Sequence, residues 1–140
     1  MAMSEVTDAK VDKPVPHPTP LSAPYWEAAR QGRLVLQHCG ACGKVRHYPR
    51  ILCSACHSFA VEWRQVEPRG MVHSWTVSHF AFHPAFADEV PYTLATVDLA
   101  CGVRVLGRYR SGQAIRVGLP VAILFESDAQ GTPCLFVSPS

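Results

Sequence analysis

Two pairs of cysteines constrain the fold of this chain more than any other feature. Cys39 and Cys42 form one Cys-x-x-Cys pair, Cys53 and Cys56 form a second, and ten residues separate the pairs. Each pair offers two thiolates from one tight turn, and a tetrahedral zinc ion takes four such ligands. The connection is long enough for the chain to reverse. The spacing therefore predicts a zinc ribbon that holds one zinc ion per chain.

The predicted zinc ion has a structural role. A catalytic zinc ion keeps one coordination position open for water, whereas four cysteines fill every position. Paired cysteines in the reducing cytoplasm are more often metal ligands than disulfides. We expect a cytoplasmic protein without a membrane partner, because the chain begins without the features of a signal peptide and has no apolar run near the roughly 20 residues of a membrane span.

The length of the chain excludes a separate large catalytic domain. The 140 residues are 48% hydrophobic and 17% charged. This is the composition of a globular protein with a modest core, slightly poor in charge, so some apolar surface is available to face a partner.

The region before the cysteines divides at about residue 20. Residues 1–20 have a proline at every second position from Pro14 to Pro20 and almost nothing to bury, which indicates a disordered or extended tail. Residues 21–60 form the next region, a short helix followed by the ribbon. Ser22 as a cap, Pro24 in the first turn and Gly32 at the exit predict a helix over 23–31.

Residues 61–140 have an all-β pattern. Strands are predicted at 71–79, 92–99, 103–109, 120–126 and 134–137, with turn signals between them. Five short strands in about 70 residues favour a small closed barrel, because closure removes exposed strand edges. The predicted fold is mainly β: an N-terminal helix, a zinc ribbon and a five-stranded barrel.

Two aromatic segments are candidates for contact with a partner or ligand. Tyr25 and Trp26 lie on one side of the predicted helix, and that side either packs on its own domain or docks on a partner. The loop over 78–92 contains Phe80, Phe82 and Phe86 together with histidines and carboxylates. This loop favours contact with an apolar surface; simple loop packing and acid-base catalysis are the alternatives.

The distribution of charge argues against a polyanion partner for the barrel. Residues 61–140 carry six arginines, no lysine and seven acids, whereas a groove that follows a nucleic-acid backbone is basic. Basic residues cluster around the ribbon instead: Arg30, Arg33, Lys44, Arg46 and Arg50. They offset the charge of the thiolates or meet an anionic contact.

The order of these features resembles the family of small zinc-ribbon/OB-fold proteins associated with acyl-CoA enzymes. The resemblance rests on the helix "PYWEAARQGRLVLQHC", the ribbon "CGACGKVRHYPRILCSAC" and the barrel segments "GMVHSWTV", "VPYTLATVDL", "GVRVLG" and "IRVGLPVAILFE". It covers about residues 22–138, essentially the whole chain after the tail.

The resemblance implies a rubredoxin-like ribbon, an OB-fold and a non-catalytic accessory role. The partners of that family are thiolases, thiolase-like synthases and aldolases, or hydratases, which process acyl-CoA thioesters that include sterol side-chain intermediates. We expect a two-plus-two complex in which the ribbon and the helix dock on a thiolase-fold enzyme. Candidate contact residues are Tyr25, Trp26, Arg46, Arg50, Phe80, Phe82, His83 and Phe86. A single-stranded nucleic-acid module and a stand-alone acyl-CoA binding module are the alternatives.

Overall fold

A short helix, α1, spans Ala23–Arg30 in the computed structural model, which describes residues 11–140. Pro24 lies in its first turn, and Gly32 leaves it with a φ of 73°, as predicted. Ser22 occupies the cap position, but its side chain does not cap the helix. Its Oγ instead accepts a hydrogen bond from the Thr19 N–H at 3.0 Å. The predicted Ser22 cap is therefore wrong, because the preceding turn uses that hydroxyl.

The ribbon is built on a three-stranded antiparallel sheet. β1 spans Val35–Cys39, β2 spans Val45–Arg46 and β3 spans Val61–Gln65, in the order β2-β1-β3. The sequence assigned every residue from 61 onward to the barrel, whereas β3 pairs with β1 along its whole length. This difference arises because the alternation within a strand does not specify which sheet the strand joins.

Five strands form a closed barrel after the ribbon. β4 spans Arg69–Ser78, β5 Tyr92–Leu99, β6 Arg104–Tyr109, β7 Pro120–Ser127 and β8 Pro133–Pro139. Their order is β4-β5-β6-β8-β7, with β7 pairing back to β4, and the β6–β8 pair is parallel. The five predicted strands are confirmed to within about three residues at each end. The barrel is an OB-fold.

One apolar core joins the ribbon to the barrel. Leu34 and Leu36 at the start of the ribbon belong to the same buried cluster as Val97 and Val121 of the barrel. Gly107 on β6 is required by this packing, because a Cβ there would lie 2.2 Å from Cδ2 of Leu135. The helix contacts β1, β7 and β8. The ribbon is therefore anchored to the barrel through the buried side chains of this shared core.

Residues 11–19 contain neither helix nor strand and lie against the barrel. Lys13 Nζ lies 2.9 Å from a carboxylate oxygen of Glu89 and 5.1 Å from the ring centre of Phe86. The remainder of the predicted tail, residues 1–10, lies outside the described residues. Within residues 11–140, no helix is long and apolar enough to cross a membrane.

Candidate functional site

The four ribbon cysteines converge on one point between two tight turns. Cys39 ends β1, and the turn that follows it contains Cys42. The second turn is closed by a hydrogen bond from the Cys53 N–H to the Ser58 carbonyl at 3.0 Å. All four Sγ atoms lie within 4.8 Å of one another. The sequence prediction that these cysteines share one site agrees with this arrangement.

Backbone hydrogen bonds prepare two of these sulfurs to be thiolates. The N–H groups of Cys42 and Ala41 both donate to Cys39 Sγ at 3.4 Å. These bonds lower the pKa of the Cys39 thiol to about 6. Hydrogen bonds from the backbone N–H groups of Cys56 and Ala55 lower the pKa of the Cys53 thiol in the same way. Amide donors of this kind favour the ionised sulfur that a metal ion binds.

The spacing of the sulfurs fits a tetrahedral zinc ion. The Cys39–Cys56 and Cys42–Cys53 pairs of Sγ atoms are 3.5 Å and 3.6 Å apart. Zinc–sulfur bonds of about 2.3 Å at tetrahedral angles place sulfurs about 3.8 Å apart, whereas a disulfide would bring them to about 2 Å. The ribbon therefore has a cluster of four cysteines that could hold one zinc ion with no position left for water.

Beside the metal cluster, the structure places one candidate contact residue inside the protein. Arg46 is only 8% exposed. Its Nε donates to the side-chain oxygen of Gln37, and its guanidinium also donates to the Arg50 carbonyl at 3.1 Å. The prediction that Arg46 meets a partner directly does not fit this burial. Arg50, in contrast, is exposed.

Tyr25 packs within its own chain. Its ring centre lies 5.3 Å from that of His47 and 6.2 Å from that of Phe125, so it connects the ribbon to the barrel. Burial raises the pKa of Tyr25 to about 12, with a smaller contribution from Tyr48. Trp26 stands edge-on to Tyr25 at 5.3 Å and is half-buried. Of the two alternatives left open for this side of the helix, the structure supports packing on its own domain for Tyr25.

The aromatic loop between β4 and β5 has an exposed half and a packed half. Phe80 and Phe82 are 68% and 82% exposed, with their ring centres 5.1 Å apart. His83 accepts a hydrogen bond from the Ala85 N–H at 3.2 Å, and Phe86 packs towards Tyr92. The loop therefore presents Phe80 and Phe82 outwards, whereas His83 and Phe86 help to fix its shape.

The structure brings together a polar cluster that the sequence did not indicate. Asp98 accepts from Arg104 Nε at 2.6 Å and lies 2.9 Å from His73 Nδ1. Arg104, followed by His73, holds the pKa of the Asp98 carboxyl below its usual range. His73 lies at a register shift in the pairing of β4 with β5, and only that pairing brings it to Asp98. The cluster is exposed on the outer face of the barrel.

Glu89 is a second ionic centre on the barrel. It lies between Lys13 and Arg108, whose nitrogens are 2.9 Å and 2.7 Å from its carboxylate oxygens. Partial burial acts to raise the pKa of Glu89, but hydrogen bonds from the two cations outweigh it and keep the pKa below its ordinary value. This ionic centre links the segment before the helix to the barrel.

Family models match two adjacent parts of the chain. Residues 26–62 match the model described as the rubredoxin-like zinc ribbon domain of ChsH2. Residues 63–126 match the model described as the C-terminal OB-fold domain of ChsH2. The boundary between the two matches falls within β3, the last strand of the ribbon sheet, and the five barrel strands follow it.

Curated relatives are longer than this chain. A probable enoyl-CoA hydratase alpha subunit of Thermomonospora curvata is 39% identical over 117 residues, which are 80% of this chain and 35% of that protein. The 3-oxo-4,17-pregnadiene-20-carboxyl-CoA hydratase alpha subunit of Mycobacterium tuberculosis is 32% identical over 99 residues, 69% of this chain and 31% of that protein. The chain thus spans about a third of the length of these relatives.

Two solved structures resemble most of the chain. A chain of the structure described as Ltp2-ChsH2(DUF35) aldolase is 33% identical, with a TM-score of 0.79 over 89% of this chain and 98% of that one. A DUF35 protein of unknown function from Sulfolobus solfataricus has a TM-score of 0.60 at 16% identity, covering 86% of each chain. The second likeness shows a shared fold alone.

Proposed function

Because the chain belongs to the ChsH2 family of zinc-ribbon and OB-fold proteins, we propose that it is a non-catalytic accessory subunit of a thiolase-like enzyme. The observation that carries this proposal is its likeness to a chain of an Ltp2-ChsH2(DUF35) aldolase, which this chain covers almost completely. The partner subunit supplies the reacting groups, and this chain supplies binding surfaces. The complex contains two copies of each subunit, and this chain acts in the cytoplasm.

The zinc ion keeps the ribbon folded in this proposal. Cys39, Cys42, Cys53 and Cys56 would bind one ion as thiolates. The bound ion would supply a rigid cross-link between the two turns, and four sulfur ligands leave it no site for a substrate. The amide donors to Cys39 and Cys53 hold these sulfurs ready for the metal ion.

The exposed phenylalanines lie at the entrance to the acyl-CoA site of the partner. Phe80 and Phe82 line a groove of about 490 Å³ with Val77 and Leu94. Full burial of a phenylalanine side chain is favourable by about 1.5–3 kcal/mol relative to exposure to water. A partner surface or an acyl chain that covers these two phenylalanines would therefore be bound favourably. The hydratase relative that is named for a pregnadiene carboxyl-CoA supports a steroid side-chain thioester as the substrate.

Coexpression with thiolase-like proteins of the source organism tests the proposal. We expect one of them to elute with this chain on size-exclusion chromatography and to need it for full turnover of an acyl-CoA.

Phe80→Ser combined with Phe82→Ser should leave the complex intact but raise KM for a long acyl-CoA by about tenfold, since two apolar contacts are lost. Val117→Ser, at an equally exposed apolar position of the barrel, is the matched control. Separate elution with unaltered partner activity would count decisively against an accessory role.

A further inference from the structure

We propose that an apolar surface of the ribbon docks on an apolar, acid-rimmed surface of the partner enzyme. This ribbon patch consists of Tyr48, Ile51, Leu52 and Phe59, whose exposed fractions range from 41% to 71%. The proposal rests on the accessory function above and specifies which face of the chain holds the partner. The patch is separate in sequence from the Phe80–Phe82 groove, to which we assign the substrate entrance.

The metal-binding turn brings the ends of the patch together. The Cys53–Ser58 hydrogen bond closes the second cysteine turn, so Leu52 and Phe59 enter and leave it side by side. Ile51 directly precedes Leu52. Three of the four patch residues, Ile51, Leu52 and Phe59, therefore lie at the base of one metal-bound turn, and they are not scattered single exposures of the kind that any surface has.

An aromatic stack orders Tyr48, the fourth residue of the patch. The ring of Tyr48 lies 4.4 Å from that of His47, which lies 5.3 Å from Tyr25, and Tyr25 reaches Phe125 in the barrel. Arg50 is held through its N–H, which donates to the Gln37 side chain at 2.8 Å. A surface that is already ordered loses little conformational freedom on binding, which favours its use as a docking site.

The charge of the ribbon indicates the chemistry of its partner. Residues 28–61 contain no aspartate or glutamate but five cations: Arg30, Arg33, Lys44, Arg46 and Arg50. A zinc ion with four thiolates returns two negative charges, so the ribbon stays positive by about three. None of the ion pairs within residues 11–140 involves these cations. Carboxylates at the rim of a partner surface would complement them.

Buried Arg46 adds a fixed positive charge to the ribbon. Its guanidinium lies beneath this region, bonded to the neutral Gln37 side chain and a backbone carbonyl. Its NH1 has no hydrogen-bond partner among the described residues. Buried charges are usually paired, so a positive charge fixed here makes an acidic neighbour favourable and a basic one unfavourable. Arg46 therefore contributes to the field of the patch and not to direct contact.

A protein surface fits the ribbon patch better than a nucleic acid does. The positive charge is concentrated at the ribbon, because three arginines of the barrel already have carboxylate partners: Arg104 pairs with Asp98, Arg108 with Glu89 and Arg110 with Glu126. A single-strand binding groove needs a basic track that continues past its aromatic platform. Four apolar side chains with a short basic rim are instead typical of the centre and edge of a protein interface.

Matched surface variants of the full chain test the inference by titration against the thiolase-like subunit that coelutes with it. Ile51→Ser combined with Phe59→Ser should weaken Kd by at least about tenfold, as expected for central apolar contacts, whereas Val117→Ser should leave it within about twofold. Arg50→Glu should weaken binding, whereas Arg116→Glu should not; Arg116 is exposed between β6 and β7 and forms no ion pair within residues 11–140. Zinc content and circular dichroism of each variant confirm that the ribbon is folded.

The possible outcomes separate the inference from the proposed function. If the wild-type complex forms and the Ile51/Phe59 and Arg50 variants bind as tightly as the wild type, the docking surface is elsewhere and only this inference fails. If no thiolase-like subunit binds the wild type, the accessory function fails and the inference with it. A single-stranded oligonucleotide that displaces the partner from the ribbon would also overturn it. Binding that weakens from about 0.05 to about 0.5 M salt is the expected sign of a charged rim.

Discussion

Removing the Tyr25 ring should destabilise the fold without acting on partner contact directly. Tyr25 touches the ribbon through His47 and the barrel through Phe125, with Trp26 edge-on beside it. Truncating a large aromatic residue in a core costs about 3–5 kcal/mol, and Tyr25 is partly exposed, so Tyr25→Ala should lower the free energy of unfolding by about 3 kcal/mol. This is a large fraction of the roughly 5–15 kcal/mol that stabilises a typical domain.

Urea unfolding followed by tryptophan fluorescence measures this loss. Tyr25→Phe is the control, because the Tyr25 hydroxyl makes no hydrogen bond within residues 11–140, and we expect a change below about 1 kcal/mol. An unfolding free energy of Tyr25→Ala within about 1 kcal/mol of the wild type would refute the packing argument. Such a result together with weaker partner binding would restore the other alternative, that this side of the helix docks on the partner.

Two further predictions concern the metal and one histidine. A strong zinc chelator, or Cys53→Ser, should remove the metal ion. The amides of β1 and β3 should then lose their protection from hydrogen exchange, while the amides of β5 stay protected for longer. A native mass spectrum without zinc, or a ribbon that stays protected after chelation, would contradict this prediction. Burial lowers the pKa of His47, so the unfolded chain takes up a proton near pH 6.5 that the folded chain binds only at lower pH. Stability should therefore fall from pH 7 to about 5, and less steeply in His47→Phe, with retained zinc as the control.

Local patterns in the sequence were sufficient to predict most of the fold. The cysteine spacing predicted the cluster of four sulfurs, because the turn in each Cys-x-x-Cys pair is set by residues inside it. The barrel strands were predictable from alternation, which is clearest on β7: Val121 and Ile123 face the core. The helix was predictable from Pro24 and Gly32 for the same reason. Each of these features depends on neighbours along the chain.

Features that depend on distant partners were not predictable. The pairing of β3 with β1, the burial of Arg46 against Gln37 and the link from His73 to Asp98 each join residues that only the tertiary fold brings together.

The ribbon patch could have been found from its composition, because apolar residues in a short metal-bound loop have no core of their own to enter. Alternation is not informative in such a loop.

The absence of acids from residues 28–61 connects the metal to the docking surface. A ribbon of this size can be stabilised by a core, by ion pairs or by a metal ion. Leu34 and Leu36 belong to the core shared with the barrel, but the buried residues over 39–60 are two cysteines and an arginine. The cations of residues 28–61 form no ion pair within residues 11–140, so a core and ion pairs contribute little to the cysteine loops. Zinc supplies the cross-link in their place. Because zinc holds the fold, Tyr48, Ile51 and Phe59 can remain exposed on the surface, and the five cations need no carboxylate within residues 11–140. These apolar side chains and cations are then available to a partner.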